Sequence, residues 1–235
     1  MNNIKIFYDG TNIAKYAKLD YVVGFTTNTS FMRQDNKLNY REFIEENKDV
    51  INDRPISLQL FSDNYDEAYI QAQQIASLGN NIFIKVPVVN SVGVYNETLI
   101  LKLLEDNMHI NITAVFTNEQ LDVLFNIISK NTTTTSQIII SIFSGRISDT
   151  CVNPSSIVSH ATSIFSAFPN IEILWAGCKE VLSIQHAVDC KCHIITIPDT
   201  IMDRLSRINK DLNEFSLETV RSFKKDAVEG NIRIM

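Results

Sequence analysis

Strand-like and helix-like segments alternate along the whole chain, and this alternation limits the possible folds most strongly. Short runs rich in β-branched and aromatic residues recur eight times, and a helix-like segment follows each one. Parallel strands joined by helices are typical of α/β proteins. Eight such units predict a single (β/α)8 TIM barrel over residues 1–235, with an extra C-terminal helix at about residues 216–228. A doubly wound open sheet is the alternative, although that fold does not require eight units.

The predicted elements follow from these patterns. The strands are Ile4–Tyr8, Val22–Thr27, Ile56–Phe61, Asn81–Val88, Ile110–Phe116, Gln137–Phe143, Ile171–Ala176 and His193–Ile197. Four of the longer helices are predicted at Tyr40–Ile51, Val92–Glu105, Pro154–Phe168 and Leu217–Ala227. Four others are predicted as follows: one is capped by Ser62 and Asp63 and ends at Ala76, one begins near Asn118, one ends near Val188 and one ends at Leu205. The polar tract Asn131–Ser136 predicts a surface loop.

Composition and charge exclude several classes of function. No stretch approaches about eighteen consecutive apolar residues, so we expect no membrane span and no membrane partner. The net charge of −6 and the lack of a basic stripe argue against nucleic acid as a partner. No glycine-rich nucleotide-binding loop is present. The four cysteines lack CxxC spacing, and the N-terminal residues leave no room for a signal peptide, so we expect a cytoplasmic protein.

The fourth strand-like run contains one charged residue, Lys85, among apolar β-forming residues. A run of this length between turn signals predicts a fully buried strand. Burial disfavours the charged ammonium and lowers its pKa, which frees the amine to attack a carbonyl carbon. The alternative is a lysine near a strand end whose stem lies on apolar surface while its ammonium reaches water. The residues at the other strand ends favour the buried interpretation.

Mostly polar residues lie at the ends of the predicted strands, where barrels gather their reactive groups. These residues are Asp9, Thr26, Asn28, Gln59, Lys85, Asn111, Thr113, Ser141, Phe143, Arg146, Gly177 and Lys179. Each alone has an ordinary structural explanation, such as a turn residue or a strand residue. One lysine, one carboxylate and several neutral hydrogen-bonding groups together suit Schiff-base chemistry on a polyhydroxylated carbonyl compound.

Arg146 and Lys179 follow the sixth and seventh strands, close to where barrels often bind phosphate. The alternative for each is an ordinary solvated basic residue. The segment Cys190-Lys191-Cys192-His193 lacks the spacing of a zinc site, and we expect no metal there.

Several segments together carry a resemblance to a known family. They are Phe7–Asn12, Gly24–Ser30, Ile84–Pro87, Asn111–Phe116 and Gly145–Ile147. In this order they resemble the transaldolase family in its short form, which includes the fructose-6-phosphate aldolases. The similarity runs from Tyr8 to about Ala227, nearly the whole chain. The combination of segments is specific, whereas any one of them alone is weak.

The resemblance implies a residue-by-residue assignment of the site. It implies a Schiff-base lysine at Lys85, a proton-transferring carboxylate at Asp9, a catalytic water held by Gln59 and Thr113, donor-sugar contacts from Thr26, Asn28, Asn111, Ser141 and Phe143, and phosphate contacts from Arg146 and Lys179. The family transfers a dihydroxyacetone unit from a ketose phosphate to an aldose phosphate, and the resemblance implies no metal or cofactor. It also implies a homo-oligomer in which the C-terminal helix takes part.

The two branches of the family differ at a few of these positions. Phe143 stands where the aldolases have tyrosine, and Asn111 and Ser141 stand where they have apolar residues, so these three match transaldolases. Gln59 instead matches the aldolases, which release free dihydroxyacetone. The resemblance therefore favours a transferase, with the releasing aldolase as the alternative.

The chain departs from the family pattern in four places. Thr29 replaces a proline, Gly177 replaces a serine that binds phosphate, Lys191 replaces a common glycine, and the Asn131–Ser136 tract is inserted. These departures fit a diverged paralogue that acts on another sugar in a biosynthetic pathway. A catalytically weak barrel kept as a binding or scaffold protein is the alternative from another functional class.

Overall fold

Eight parallel strands form a closed barrel in the computed structural model, which describes residues 4–130 and 134–235. Each strand pairs with the next along the chain, and the first pairs with the last. The strands are β1 (Lys5–Asp9), β2 (Val22–Thr26), β3 (Ile56–Gln59), β4 (Ile82–Pro87), β5 (Ile110–Val115), β6 (Ile138–Ile142), β7 (Ile171–Trp175) and β8 (Ile194–Pro198). The predicted (β/α)8 barrel is therefore confirmed, and an open sheet is excluded.

Helices follow every strand, and a long one ends the chain. They are α1 (Ile13–Tyr16), α2 (Thr29–Gln34), α3 (Tyr40–Ile51), α4 (Tyr65–Ala76), α5 (Glu97–Glu105), α6 (Asn118–Ser129), α7 (Ser144–Ser148), α8 (Ser155–Ile164), α9 (Leu182–Asp189), α10 (Asp199–Met202) and α11 (Leu212–Glu229). A 3-10 turn covers Leu205–Arg207. The chain divides into two compact units, Met1–Met202 and Asp203–Met235. Our assignment of residues 1–235 to one domain stays a prediction.

Alternation along the strands separates two buried layers. Side chains that point outward from the barrel, such as Ile84 and Val86 of β4, pack beneath the helices and are fully buried. Side chains that point inward form a cluster from β4 and from the consecutive strands β6, β7, β8 and β1; β4 is adjacent to none of these four, so Phe83 meets the others only across the barrel interior. This interior cluster comprises Phe7, Phe83, Ile139, Leu174, Ala176 and Ile194. It fills the interior with apolar side chains, as expected for a barrel of this size.

Gly24 of β2 leaves room for the interior cluster. A Cβ atom at this position would lie 2.4 Å from the Cζ atom of Phe7, far inside the contact distance of two carbon atoms. Any side chain there would displace the Phe7 ring. The glycine therefore follows from the size of the aromatic ring that fills the barrel.

Several predicted helix ends were wrong because local hydrogen bonds take the chain out of the helix. The cap of α4 is Asn64 rather than Ser62 or Asp63, since its side chain accepts a hydrogen bond from the Glu67 amide. The α5 helix begins at Glu97 rather than near Val92, because the Asn90 side chain accepts bonds from two backbone amides and forms a turn first.

The ends of three other predicted helices also differ from the structure. The α8 helix stops at Ile164 rather than Phe168, α10 stops at Met202 before the 3-10 turn, and the last helix begins at Leu212 rather than Leu217. The last helix is longer because Asp211 accepts from the Glu214 amide and caps it five residues earlier than predicted. The short α7 helix was not predicted at all.

Part of the predicted surface loop Asn131–Ser136 lies outside the described residues, namely 131–133. The remaining three residues form neither helix nor strand. Ser136 is nevertheless fully buried, and the Thr134 hydroxyl donates to the Leu104 carbonyl at 3.0 Å. Across the described parts of the chain, no helix combines the length and apolar character that crossing a membrane requires.

Candidate active site

The strand ends carry polar side chains on the inward-facing positions directly above the interior cluster. Lys85 lies two residues after Phe83, and Ser141 lies two residues after Ile139, so each pair shares one face of its strand. In the barrel register, Lys85 is paired with Gln59 on one side and with Asn111 on the other. The structure therefore brings the predicted residues of β3, β4, β5 and β6 to one end of the barrel interior.

Lys85 is buried, with 5% of its surface exposed. Its ammonium donates a hydrogen bond to the backbone carbonyl of Thr27 at 3.2 Å rather than reaching water. Burial lowers the pKa of Lys85 from its usual value, and the negative charge of Asp9 partly opposes this shift. The structure thus supports the buried interpretation, and an amine with a lowered pKa is able to attack a carbonyl carbon.

Asp9 ends β1 and accepts a hydrogen bond from the Thr26 hydroxyl at 2.7 Å. Burial raises the pKa of Asp9, while the charge of Lys85 and the Thr26 hydrogen bond lower it in part. A carboxyl group whose pKa is raised exchanges protons more readily near neutral pH. Thr26 also bonds to the Thr196 hydroxyl of β8 at 2.6 Å, which orients it toward Asp9.

A chain of hydrogen bonds crosses three strands beside Lys85. The Ser141 hydroxyl donates to Asn111 Oδ1 at 2.7 Å, and Asn111 Nδ2 donates to the Ser57 hydroxyl at 3.0 Å. These three side chains are buried. Both polar atoms of the Asn111 amide are therefore oriented by protein partners. Sequence analysis missed Ser57 and Thr196, although each stands on an inward-facing strand position that alternation identifies.

Thr113 lies at an irregularity in β5. The register between β5 and β6 shifts between Ile112 and Val115, and Ala114 has a positive φ of 58°. An alanine rarely adopts this left-handed conformation, so the end of β5 is strained beside the candidate site. The Thr113 hydroxyl is buried and has no hydrogen-bond partner within residues 4–130 and 134–235. It is therefore available to a bound molecule.

Gln59 is held through its backbone carbonyl, and the Asn28 side chain is held because it caps a helix. The Gln59 carbonyl accepts from the Tyr40 hydroxyl at 2.9 Å, and burial raises the pKa of Tyr40 to about 12. Asn28 caps α2, since its Oδ1 atom accepts from the Ser30 and Phe31 amides at 2.9 and 3.1 Å. The capping bonds occupy that oxygen, so the Nδ2 atom of Asn28 is the group that can donate to a ligand.

The predicted phosphate residues lie at the exposed rim after β6 and β7. Lys179 forms an ion pair with Asp149 at 3.1 Å, and both side chains are more than half exposed. The Arg146 guanidinium lies 5.4 Å from the ring centroid of Phe143, and that ring packs against the interior cluster. The structure therefore places these two basic residues at the rim, apart from the buried polar groups. Sequence analysis missed Asp149.

Local backbone geometry bears on three of the four departures from the family pattern, namely those at Gly177, Lys191 and Thr29. A Cβ atom on Gly145 would lie 1.7 Å from the Gly177 carbonyl oxygen, so these two backbones are in close contact. A Cβ atom on Gly177 itself would lie no closer than 3.6 Å to another heavy atom, but the positive φ of 71° at this position favours glycine over a residue with a side chain. Lys191 has a φ of 56°, the left-handed conformation in which glycine is unstrained. Thr29 is the first residue of α2, a position that proline also tolerates.

The residues that the structure describes contain no cluster of side chains suited to a metal ion. No three His, Cys, Asp or Glu side chains of these residues come together in a way that suits a metal ion. Cys190 and Cys192 are free thiols and are buried.

The structure is a (β/α)8 barrel with buried polar side chains at the C-terminal ends of its strands, the end at which barrel enzymes carry their reactive groups. A family model described as Transaldolase/Fructose-6-phosphate aldolase matches residues 6–232. Two relatives, each named "Probable transaldolase", come from Thermoanaerobacter and Thermoplasma volcanium and are 25% and 26% identical. In both cases, 98% of this chain and 100% of the relative are covered.

Solved structures that resemble this one share the barrel fold. Sialic acid aldolase from Ruminococcus gnavus superposes with a TM-score of 0.52 at 13% identity, covering 83% of this chain and 68% of that one. Orotidine 5'-monophosphate decarboxylase from Sulfolobus solfataricus gives a TM-score of 0.50 at 11% identity, covering 83% and 88% of the two chains. At these identities the likeness shows the fold alone.

The family model spans nearly the whole chain, so the protein belongs to the Transaldolase/Fructose-6-phosphate aldolase family. It is accordingly an enzyme of the aldolase and transaldolase type.

The electrostatic link between Asp9 and Lys85 leads to a testable prediction. Because the Asp9 carboxylate stabilises the Lys85 ammonium, Asp9→Asn should lower the pKa of Lys85 further. More neutral amine is then present at any given pH, so acetylation of Lys85 should begin at a lower pH. Peptide mass spectrometry after brief acetylation across a pH series measures this profile. Asp149→Asn, which removes the exposed partner of Lys179, is the control. An unchanged or alkaline-shifted profile in Asp9→Asn would contradict the link.

Proposed function

We propose that this protein is a transaldolase that transfers a dihydroxyacetone unit from a ketose phosphate to an aldose phosphate through an imine on Lys85. The observation that carries the proposal is the burial of the Lys85 amine beside the Asp9 carboxyl group. Burial moves the pKa of the lysine down and that of the carboxyl group up, and their charges interact. Opposite shifts of this kind prepare one group as a nucleophile and the other as a proton carrier.

The proposed reaction begins when the Lys85 nitrogen attacks the ketone carbon of the donor. Loss of the carbonyl oxygen as water gives a protonated imine. Asp9 takes the proton of the hydroxyl group on C4, the bond between C3 and C4 breaks, and its electron pair moves into the imine to give an enamine. The aldose phosphate product leaves. An acceptor aldehyde is then attacked by the enamine carbon, and the same steps run in reverse.

The neutral polar groups suit the hydroxyl groups of the donor. Asn111 and Ser141 are already oriented by their mutual hydrogen bond, so they lose little freedom when a sugar binds. Thr26 lies beside the Asp9 carboxyl group, and Asn28 contributes the Nδ2 donor that its capping role leaves available. The unpartnered Thr113 hydroxyl and the neighbouring Gln59 are proposed to position the water that hydrolyses the imine.

Arg146 and Lys179 are proposed to bind the substrate phosphate at the rim. Both side chains are exposed and so are accessible to a ligand from solvent. Lys179 forms an ion pair with Asp149, and an incoming phosphate would compete with that carboxylate for the ammonium group. Gly177 supplies no hydroxyl group, so this chain would hold the phosphate through fewer side-chain contacts than relatives with serine there.

Phe143 favours transfer over release of the three-carbon unit. Release requires protonation of the enamine carbon and hydrolysis of the imine, and both steps use water. The Phe143 ring packs on the interior cluster and offers no hydroxyl group to hold that water. The second candidate is an aldolase that releases dihydroxyacetone, and the residue that favours it is Gln59, next to Lys85 in the register.

Borohydride trapping with fructose 6-phosphate tests the covalent step. The wild-type protein should gain the mass of one reduced sugar-derived adduct, and Lys85→Ala should gain none, because no other amine is expected to form the imine. Intact-mass spectrometry measures the adduct. Lys18→Ala, which removes an exposed lysine, is the matched control and should be labelled like the wild type. An adduct of wild-type size on folded Lys85→Ala would refute the assignment.

Phe143→Tyr tests the choice between transfer and release. A tyrosine hydroxyl can donate to water near the enamine, so this variant should shift the product ratio toward free dihydroxyacetone. The ratio is measured from fructose 6-phosphate with and without erythrose 4-phosphate. Phe125→Tyr adds a hydroxyl group to the aromatic cluster of Phe125, Phe165 and Phe168 and is the control. If the wild type releases dihydroxyacetone as fast as it transfers it, the aldolase alternative is correct.

We also propose that copies of the chain associate through α11. Its eighteen residues include none that is buried, and Leu217, Val220 and Phe223 are exposed at helical spacing. An apolar stripe of this kind is stable against a partner surface rather than in water. Light scattering should show an oligomer for the full chain and a smaller mass after deletion of the residues beyond Ser216. A monomer mass for both would contradict the proposal.

A further inference from the structure

The tyrosine that precedes Asp9 makes a set of contacts outside the barrel interior. Tyr8 lies between Phe7 and Asp9 on β1, and because Phe7 belongs to the interior cluster, alternation directs Tyr8 to the outer face of the sheet. Tyr8 is fully buried there, and its ring centroid lies 4.3 Å from that of Tyr16 in α1. Tyr8 is therefore packed directly behind the residue that carries the candidate carboxyl group.

The turn that follows Asp9 is built around the Tyr8 hydroxyl group. The backbone amide of Asn12 donates a hydrogen bond to this hydroxyl oxygen at 3.2 Å. A Cβ atom on Gly10 would overlap the same oxygen, so only a glycine lets the backbone pass this close. The Gly10 amide donates to the Thr26 carbonyl at 2.9 Å. The turn is therefore anchored at two points, on β2 and on the Tyr8 hydroxyl group.

Asp199 fixes the direction of the Tyr8 hydroxyl group. This hydroxyl has one proton, which it donates to Asp199 Oδ2 at 2.6 Å. Asp199 begins α10 directly after Pro198, which is paired with Asp9 in the register between β1 and β8. Lys15 of α1 approaches Asp199 Oδ1 at 3.9 Å. A hydrogen bond to a carboxylate is stronger than one between neutral groups, so this contact ties the start of α10 to the turn after β1.

Burial keeps the Tyr8 hydroxyl group protonated. It raises the pKa of Tyr8 far above its usual value, and the hydrogen bond to Asp199 adds to this shift. The hydroxyl group therefore remains a donor at neutral pH. Because the Asn12 amide donates to the same oxygen, the amide, the hydroxyl group and the Asp199 carboxylate form one continuous chain of hydrogen bonds, and such chains strengthen each bond in them.

The place of the Asp9 carboxyl group depends on this chain of hydrogen bonds. Its Oδ1 atom accepts from the Thr26 hydroxyl at 2.7 Å, while its backbone is placed by the turn. Tyr8 and Asp9 are consecutive, so a movement of the Tyr8 ring or of the turn moves the carboxyl group relative to Lys85. A misplacement of about 1 Å in a reacting group costs on the order of a hundredfold in rate.

We propose that Tyr8 and Asp199 are positioning residues that hold the Asp9 carboxyl group beside the Lys85 amine. Tyr8 lies on the outer face of the sheet, so it acts through Asp9 rather than by touching a substrate. The proposal rests on the function proposed above only where it concerns turnover, because the placement of Asp9 is measurable without a substrate.

The charge that Asp9 places near Lys85 gives a test without a substrate. The carboxylate stabilises the Lys85 ammonium, so a displaced carboxylate should let acetylation of Lys85 begin at a lower pH. Tyr8→Phe keeps the buried ring and should give part of the acid shift that Asp9→Asn gives. Peptide mass spectrometry after brief acetylation across a pH series measures this profile. Tyr69→Phe removes another hydroxyl that donates to an aspartate, Asp106, at 2.6 Å, and this control should leave the profile unchanged.

Other titratable groups near the pair do not change the expected direction. The Cys178 thiol also interacts with Asp9, but burial raises the pKa of that thiol to about 11, so it carries no charge near neutral pH. Lys15, which faces Asp199, is half exposed and is retained in every variant. Tyr8→Phe itself removes no charge, because the Tyr8 hydroxyl is protonated.

A double variant separates the positioning of Asp9 from a general loosening of the barrel. In the Asp9→Asn background, Tyr8→Phe should add no further shift, because the charge that it displaces is already absent. A loosened barrel that exposes Lys85 would shift both backgrounds alike. Asp199→Ala removes the acceptor and should reproduce the Tyr8→Phe shift, whereas Asp199→Asn keeps an acceptor oxygen and should restore most of the wild-type profile. These two variants decide the question if Tyr8→Phe does not fold.

Turnover separates this proposal from the function on which it draws. With fructose 6-phosphate, Tyr8→Phe should lose about tenfold or more in turnover and should keep the borohydride adduct on Lys85. A wild-type protein without the adduct would refute the imine chemistry, and the acetylation profiles would still test the placement of Asp9. The positioning role is overturned if folded Tyr8→Phe and Asp199→Ala acetylate as the wild type does, if the shift persists in Asp9→Asn, or if Tyr8→Phe turns over as fast as an adduct-forming wild type.

Discussion

The burial of Lys85 inside a closed barrel is the interaction on which the candidate site depends. An ammonium group is poorly stabilised away from water, and here one carbonyl oxygen and the charge of Asp9 are the groups that offset that loss. The offset is incomplete, so the pKa of the lysine falls. The same burial raises the pKa of Asp9. One physical cause therefore moves both pKa values in the directions that the proposed mechanism requires.

Along a strand such as β4, apolar side chains fill the barrel interior and a polar side chain follows at the C-terminal end. An apolar residue such as Phe83 fills the interior, and the polar residue two positions later lies above it on the same face. Charges at the rim behave differently, because Arg146 and Lys179 are exposed and interact through a medium of high dielectric constant. The buried side chains of Asn111 and Ser141 are thus oriented by their hydrogen bonds, whereas Lys179 at the rim has only an exposed ion pair with Asp149.

Local structure was predictable where it depends on neighbours a few residues apart. The eight strands and the bounds of α3 follow from apolar periodicity alone. Helix ends were predicted less well where several capping residues adjoin, as with Ser62, Asp63 and Asn64, because each can cap a helix. The bulge at Ala114 was not predictable, since nothing in an alanine indicates a left-handed conformation.

The sequence by itself determined the class of fold, the family and the strand ends on which the candidate residues lie. The tertiary structure alone decided which of them meet. Asn111 joins Ser57 and Ser141 across 54 and 30 residues of chain, and Tyr8 donates to Asp199 across 191. It also decided that Lys85 is buried and donates to the Thr27 carbonyl rather than to water. Periodicity records which face of its own strand a side chain occupies. Partners on other strands are set only when the barrel closes, because closure fixes the register between distant segments.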